Sequence, residues 1–363
     1  MQRAIYVRPV GIFPAPLDTG DGTWGGLPLA GQPLRYAVIE IIERDGARIR
    51  RHIAALGDAF ERDWGRHTLA ASELIEAIGA PRPRLAGLAL DRPRIMGIVN
   101  VTPDSFSDGG RLKSAEAAIA HALRLAEEGA DILDIGGEST RPGADTVPVE
   151  EELLRVLPVI EGLRARTDAL ISIDTRKAEV MARAAAAGAD ILNDVSALTY
   201  DADALSVAAD TGLPVILMHA QGDPKTMNDD PQYEDVVLDV FDFLEARIAA
   251  CEAAGIPKAK LVVDPGIGFG KHLPQNIAVM ASLGLYHALG VPVLLGASRK
   301  KLIDHISDVP NPEDRVPGSI AAALAGAAQG VQIVRVHDVA ATRQALSVWQ
   351  AAMAGSDLVL DEA

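Results

Sequence analysis

The chain has 363 residues, 48% of them hydrophobic, with 34 Lys+Arg against 50 Asp+Glu and a net charge of −16. That length suits one large domain with an appendage, or two domains, and the acidity argues against nucleic acid and anionic membrane surfaces as partners. A lone cysteine, Cys251, excludes an internal disulfide and a cysteine metal cluster.

The opening MQRAIYVRPVGIFPAP has no apolar core long enough for a signal peptide. No uncharged apolar run of about 20 residues offers a membrane span, so a cytoplasmic protein is expected. Residues 8–33 are rich in Gly and Pro. Tyr36–Glu43 and Ala47–Ile53 flank Arg44-Asp45-Gly46, a hairpin pattern with Asp-Gly at the turn. Thr68–Ile78 reads as a short helix closed by Gly79. Pro81, Pro83 and Pro93 mark a join. Residues 1–92 are thus expected to form a small α+β appendage, without a chemical motif to reveal its role, and residues 93–363 the main domain.

From Ile95 the pattern alternates. Short apolar runs, the mark of strands buried on both faces, fall at Ile95–Asn100, Ile132–Ile135, Leu170–Asp174, Ile191–Asn193, Pro214–Met218, Leu261–Asp264, Val291–Leu295 and Val331–Arg335. Helical patterns lie between them, such as Ala115–Glu128 before Gly129. Eight β-then-α units over about 270 residues point to a (β/α)8 TIM barrel, with a doubly wound sheet as the structural alternative. Cys251 sits in a helical pattern and reads as a small packing residue.

Polar side chains cluster where these strands end. They are Asn100; Glu138, Thr140 and Arg141 just beyond the second; Asp174; Asn193; His219; Asp264; Ser298, Arg299 and Lys300; and Arg335 and His337. In a barrel these ends converge on the catalytic face. One such residue alone is more often a helix cap, but a full ring is hard to attribute to capping. The loop after Asn100 is longer than the usual ~2–6 residues and holds Thr102–Gly110, rich in oxygen ligands with Phe106 among them.

Asp174, Asn193, Asp264 and Lys300 suit a ligand with a donor-rich edge, such as an aminopyrimidine. The alternative is a buried ion-pair network of Lys300 with Asp174 or Asp264. Arg141, Arg335 and His337, with Asn100 and Thr140, suit a diphosphate accompanied by a hard divalent cation. Gly266–Lys271 (GIGFGK) fails as a phosphate loop, because Pro265 and His272 occupy the positions that need Gly and Ser or Thr. No spacing supports a structural zinc site or a Ser–His–acid triad.

The segments IMGIVNVTPDSFSDGG (95–110), DILDIGGESTRPGA (131–144), SIDTRKAEV (172–180), ILNDVSAL (191–198), LMHAQGDPKTM (217–227), LVVDPGIGFGK (261–271), GASRK (296–300) and GSIAAALAGAAQGVQIVRVHDVAAT (318–342) resemble, in order, those of the dihydropteroate synthase family. The resemblance implies condensation of 6-hydroxymethyl-7,8-dihydropterin diphosphate with 4-aminobenzoate, a step of folate synthesis. It implies a pterin site of Asp174, Asn193, Val195, Met218, Asp264 and Lys300. It assigns Asn100, Thr140, Arg141, Arg335 and His337 to the diphosphate, with Mg2+ on Asn100. Phe106 and Pro142 wall an aminobenzoate pocket, and Asp108 helps order the metal and the amine. Catalysis falls to Asp108, Arg141, Lys300, Arg335 and His337. Lys301 stands where the family usually has a Ser facing the aminobenzoate carboxylate. Ala220 and Asp304 also depart from the usual Met and Gly. A homodimer through residues 317–329 and 339–353 is implied. Rival readings are a pterin-dependent methyltransferase and a non-catalytic pterin-binding protein.

Overall fold

Four strands open the chain: β1 (Ile5–Pro14), β2 (Leu27–Pro28), β3 (Leu34–Asp45) and β4 (Arg48–Ala55). They are seen in a computed structural model that describes residues 4–15, 26–61, 67–101, 111–139, 145–222, 227 and 229–354. β3 is central, antiparallel to β1 on one side and to β2 and β4 on the other. The hairpin of β3 and β4 turns at Gly46-Ala47, one residue later than the sequence suggests, because Asp45 still pairs with Arg48. Gly46 takes φ +56 there, a conformation that suits glycine and matches strand twist. β1 does not announce itself in the sequence, since Pro9, Gly11 and Pro14 interrupt its pattern. Among the described residues it pairs only with β3, and an edge strand tolerates proline.

Two helices follow, α1 (Leu56–Glu61) and α2 (Thr68–Gly79). α2 runs through Gly79 and is capped by Ala80 in extended backbone, so Gly79 is not the left-handed stop expected of it.

The eight apolar runs then appear as β5 (Arg94–Asn100), β6 (Ile132–Gly136), β7 (Leu170–Asp174), β8 (Ile191–Asp194), β9 (Val215–Met218), β10 (Leu261–Asp264), β11 (Leu294–Leu295) and β12 (Ile333–Val336). All pair in parallel, in the order β10-β9-β8-β7-β6-β5-β12-β11. A parallel bridge between Val263 and Val293 joins the two ends. The order runs sequentially round the ring with no reversal, which distinguishes a nearly closed barrel from a doubly wound sheet. β11 is shorter than its apolar run, and Pro292 within that run has no N–H for a ladder. Between and after the strands lie α3 (Arg111–Glu127), α4 (Val149–Arg164), α5 (Ala178–Ala187), α6 (Ala204–Thr211), α7 (Val236–Ala253), α8 (Leu273–Met280), α9 (Lys301–Ser307), α10 (Val316–Ala327) and α11 (Val339–Ala354).

Two apolar layers hold this arrangement. Inside the barrel, Met96, Ile132, Ile191, Ile216, Val262, Leu294 and Ile333 pack together, and Leu85 and Leu90, from the segment leading into β5, join them. These are residues near the strand starts, so the amino end of the barrel is filled and the carboxyl end is left for polar groups. Outside, the strand-to-helix layer is continuous with the N-terminal sheet: Ile5, Val7, Ile39 and Ile41 share one cluster with Phe241, Leu244, Leu285 and Tyr286. Tyr6 meets Phe241 edge-on at 5.4 Å between ring centroids. Arg82 Nη2 donates to His287 O at 2.9 Å. The N-terminal sheet is thereby seated against α7 and the 3-10 turn Leu283–Leu289. Cys251 is buried in α7, and burial pushes its thiol up to about 11, which leaves a packing residue rather than a nucleophile.

Candidate active site

Successive side chains of a strand point to opposite faces, so each barrel strand aims alternate residues at the axis. On β6 the residues Ile132, Asp134 and Gly136 share a face. Ile132 lies in the barrel interior, and Asp134, further towards the carboxyl end, is buried there with its side chain at 0% exposure. Across the barrel, Arg335 of β12 extends its Nε to Asp134 Oδ2 at 2.6 Å and its Nη2 to Asp174 Oδ2 on β7, also at 2.6 Å. Asn193 of β8 donates through Nδ2 to the Asp134 carboxylate at 3.2–3.3 Å. Three strand ends that the sequence singles out are thus linked through a fourth residue, Asp134, that it does not. The available signal is a carboxylate in the middle of an apolar strand, which burial makes costly unless it is paired.

Asp264, ending β10, accepts from Gly266 N at 2.7 Å. Lys300 donates to the Ile267 carbonyl and lies 4.5 Å from the Phe269 ring centroid. Gly296 stands between strand ends, where a Cβ would be 3.6 Å from Asp264 Oδ2 and 3.9 Å from Arg335 Cβ. Burial raises the pKa of Asp264 against the opposing pull of Lys300. Burial also raises that of Asp174, with Arg335 opposing and Asp134 reinforcing. The Lys300 ammonium is pushed down to about 8 by burial, with Asp264 opposing. Asp174 therefore pairs with Arg335 rather than with Lys300. One oxygen of Asp174, Oδ1, is buried without a hydrogen-bond partner among the described residues, a buried acceptor able to take a ligand's N–H.

The rest of the ring divides by function. Asn100 is half-buried at the end of β5, Val195 half-buried just past β8, and Met218 buried at 4% exposure at the end of β9. Ser298 Oγ accepts from His337 N at 3.2 Å and lies 3.0 Å from His337 Nδ1. Ser298 thereby fixes the orientation of the His337 ring through its Nδ1 edge. Lys301 is exposed in the first turn of α9. Phe106, Asp108, Thr140, Arg141 and Pro142 lie outside the described residues.

Other members of the ring are supports. Glu138 is held by Arg176 Nη2 at 3.1 Å and Lys177 Nζ at 2.6 Å, and Lys177 also binds Glu152. Arg299, at φ +58, pairs with Asp338 at 2.6 Å. His219 is buried with Nδ1 2.9 Å from Lys271 Nζ, which also donates to the carbonyls of Gly266 at 2.9 Å and Phe269 at 3.1 Å. Burial, then the Lys271 charge, holds the His219 imidazole well below its ordinary pKa, so it is the neutral acceptor of this contact. The GIGFGK loop consequently wraps carbonyls around the Lys271 amine, whose ammonium burial pushes down to about 7 with Asp264 opposing, the reverse of a phosphate loop's N–H cradle. Gly266 is obligatory there: at φ +69, a Cβ would collide with the His219 carbonyl oxygen.

Comparison with known proteins agrees with this geometry. Residues 96–337 match a family model described as pterin binding enzyme. The dihydropteroate synthase of Escherichia coli strain K12 is 49% identical over 270 residues, 74% of this chain and 95% of the relative. That of Neisseria meningitidis serogroup B is 53% identical over 271 residues, 73% of this chain and 94% of the relative. Xanthomonas albilineans dihydropteroate synthase solved with 4-aminobenzoic acid superposes with a TM-score of 0.71 at 57% identity, covering 76% of this chain and 99% of the other. The same enzyme solved with 7,8-dihydropteroate gives 0.69 at 54% identity, covering 76% and 100%. The chain belongs to the dihydropteroate synthase family of pterin-binding enzymes.

Proposed function

We infer that the ring of strand ends carries out the family's reaction, joining 6-hydroxymethyl-7,8-dihydropterin diphosphate to 4-aminobenzoate to give 7,8-dihydropteroate and diphosphate. The observation that carries the reading is the convergence of Asp174, Asn193, Asp264, Lys300 and Arg335 at one end of a barrel whose relatives bind 4-aminobenzoate and dihydropteroate. Asp174 and Asp264 accept from the pterin's ring N–H and amino groups, Asn193 and Lys300 complete that edge, and Val195 and Met218 line it. His337 and the outer edge of Arg335, whose side chain keeps 22% exposure, face the diphosphate with Asn100, Thr140 and Arg141.

In the reaction the methylene C–O bond breaks and the electron pair leaves with diphosphate, whose charge Arg335 and His337 offset. The electron-rich pterin delocalises the methylene cation, and the nearby carboxylates Asp174 and Asp264 favour that charge. The aminobenzoate nitrogen then forms the C–N bond and loses a proton. Phe106 and Pro142 wall the aminobenzoate pocket and exclude water, which would otherwise capture the cation. Asp108 orders the amine.

We propose Mg2+ as the companion ion. It would be held chiefly by the substrate phosphates, with Asn100 as its protein ligand and Asp108 helping to order it. Bound there, it supplies charge neutralisation to the leaving group. We also propose a cytoplasmic homodimer meeting through α10 and α11, whose exposed side chains include Val348 at 65%. Sedimentation velocity is expected to give twice the monomer mass, and a monomer would contradict it.

Three substitutions test the assignments. Lys300 is a charged donor below about pH 8 and a weaker, neutral one above it, so kcat/KM for the pterin diphosphate is expected to fall with rising pH through that value. Lys300→Arg, which stays protonated, should remove the alkaline fall; an unchanged profile would clear Lys300 of the role. Arg335→Gln is expected to lower kcat/KM for the pterin diphosphate by about 10²–10³-fold while binding of a pterin without diphosphate changes by less than about fivefold. Equal losses for both ligands would place Arg335 in the pterin platform alone. Lys301→Ser should raise the aminobenzoate KM by about 2–5-fold, the worth of an exposed ion pair, and an unchanged KM would leave Lys301 facing solvent.

A further inference from the structure

The relatives are matched over nearly their whole length but over about three quarters of this chain, and the family match begins at residue 96. The N-terminal sheet is therefore additional to what these enzymes need. Its contacts with the barrel are not spread evenly. They fall in two places: β1 packs on residues 281–289, where Arg8 reaches Ala281 O and Ser282 Oγ, and charged side chains meet residues 234–242, where the loop after β9 enters α7.

Arg44 of β3 is the centre of the second. Its side chain is 1% exposed, and its guanidinium lies 2.8 Å from Glu234 Oε2, 2.7 Å from Asp239 Oδ1 and 3.6 Å from Asp242 Oδ2. Tyr6 of β1 donates to Asp242 at 2.8 Å. Arg51 of β4 reaches Asp235 Oδ2 at 2.9 Å, while Asp235 Oδ1 caps α7 through Val237 N at 3.1 Å and Leu238 N at 3.2 Å. The second oxygen of Asp239 accepts from the backbone N–H of Glu234 at 2.8 Å and of Asp235 at 3.2 Å. The cation on β3 thus fixes a carboxylate that in turn fixes the backbone at 234–235.

The next residue back is Tyr233, whose hydroxyl donates to Gly270 O at 2.7 Å. Gly270 is packed so closely that a Cβ would lie 2.5 Å from Gln221 O. Residue 271 follows, with the Lys271 amine gathering the carbonyls of Gly266 and Phe269 and the ring of His219. That same loop supplies the Ile267 carbonyl that Lys300 binds and the Phe269 ring beside it. The Arg44 and Tyr233 contacts are half-buried, the Glu234 N–H bond to Asp239 is exposed, and chain neighbours 233–234 and 270–271 complete the path.

We propose that the N-terminal sheet braces the Gly266–Lys271 loop through Arg44 and Tyr233, which makes Arg44 a positioning residue for the Lys300 side of the pterin site. Arg44 touches no reacting group. Its removal leaves Glu234, Asp239 and Asp242 to repel one another at the start of α7, and the Tyr233 bond loses its fixed base.

The test is calorimetric binding of the pterin diphosphate at 25 °C, which needs no turnover and so stands apart from the reaction assigned above. Arg44→Met and Tyr233→Phe are each expected to weaken binding, by about tenfold and about threefold, as loosened positioning does. The double variant should be no weaker than Arg44→Met, because both changes break one chain of contacts. Affinities within twofold of the parent for both variants, alongside a lowered melting temperature for Arg44→Met, would reduce the sheet to a stabilising addition and overturn the proposal. Fully multiplying effects in the double variant would overturn it as well. Should Arg44→Met not fold, Tyr233→Phe decides alone: binding weakened threefold supports the brace, and unchanged binding overturns it.

Discussion

The guanidinium of Arg335 lies between two carboxylates that water scarcely reaches, Asp134 and Asp174, at 2.6 Å from each. Taking such charges out of water into a protein interior costs on the order of several kcal/mol per ion, and the mutual attraction offsets that only when geometry is good and the remaining lone pairs are satisfied. The first condition is met by the barrel. Asp134 and Asp174 come from adjacent strands, β6 and β7, while Arg335 comes from β12, separated from β6 by β5 alone, and the curvature of the barrel turns the three side chains to one axis over a filled amino end. The second condition is met incompletely. Asn193 serves Asp134, but among the described residues Asp174 Oδ1 is left without a partner. A network one acceptor short is a poor device for stability and a good one for binding a ligand that brings its own N–H.

Around this pair the fold spends much of its polar material on supports. Glu138 with Arg176, Lys177 and Glu152 ties the end of β6 to α4 and the start of α5. Asp338 restrains Arg299 in its left-handed backbone, and Ser298 sets the His337 ring. Lys271 and His219 hold the glycine-rich loop under Lys300. A ring of functional residue types at the strand ends therefore contains two populations. One turns towards the axis, where ligand binding is proposed, and the other fixes the first in place.

Sequence patterning made the barrel legible because parallel strands buried on both faces must be apolar and short, and each of the eight runs appears as a strand. The proposed pterin edge is legible for a related reason: Asp174, Asn193 and Asp264 each interrupt an apolar run at its last residues. Asp134 was not, since it sits within its run rather than at the end and looks like an isolated exception. Lys271 was set aside because its loop fails as a phosphate motif, and its use as an amine ringed by carbonyls has no comparable signature. The ring as read in sequence also gave His219 and Glu138 the same standing as Asp174, for spacing does not distinguish a side chain that faces the axis from one that pairs behind it. In the N-terminal region, β1 was hidden by Pro9, Gly11 and Pro14, residues an edge strand accepts and a central strand would not. The meaning of Arg44 depends on carboxylates some 190 residues away, beyond the reach of any local pattern.

The most direct measurement is diphosphate release by the purified protein, given the pterin diphosphate and Mg2+, with and without 4-aminobenzoate, and with the product weighed by mass spectrometry. The account requires release that rises with 4-aminobenzoate and is matched mole for mole by 7,8-dihydropteroate. Tight binding of the pterin with no release under either condition would contradict it, and would mean that the charge network at the barrel mouth holds a pterin without turning it over.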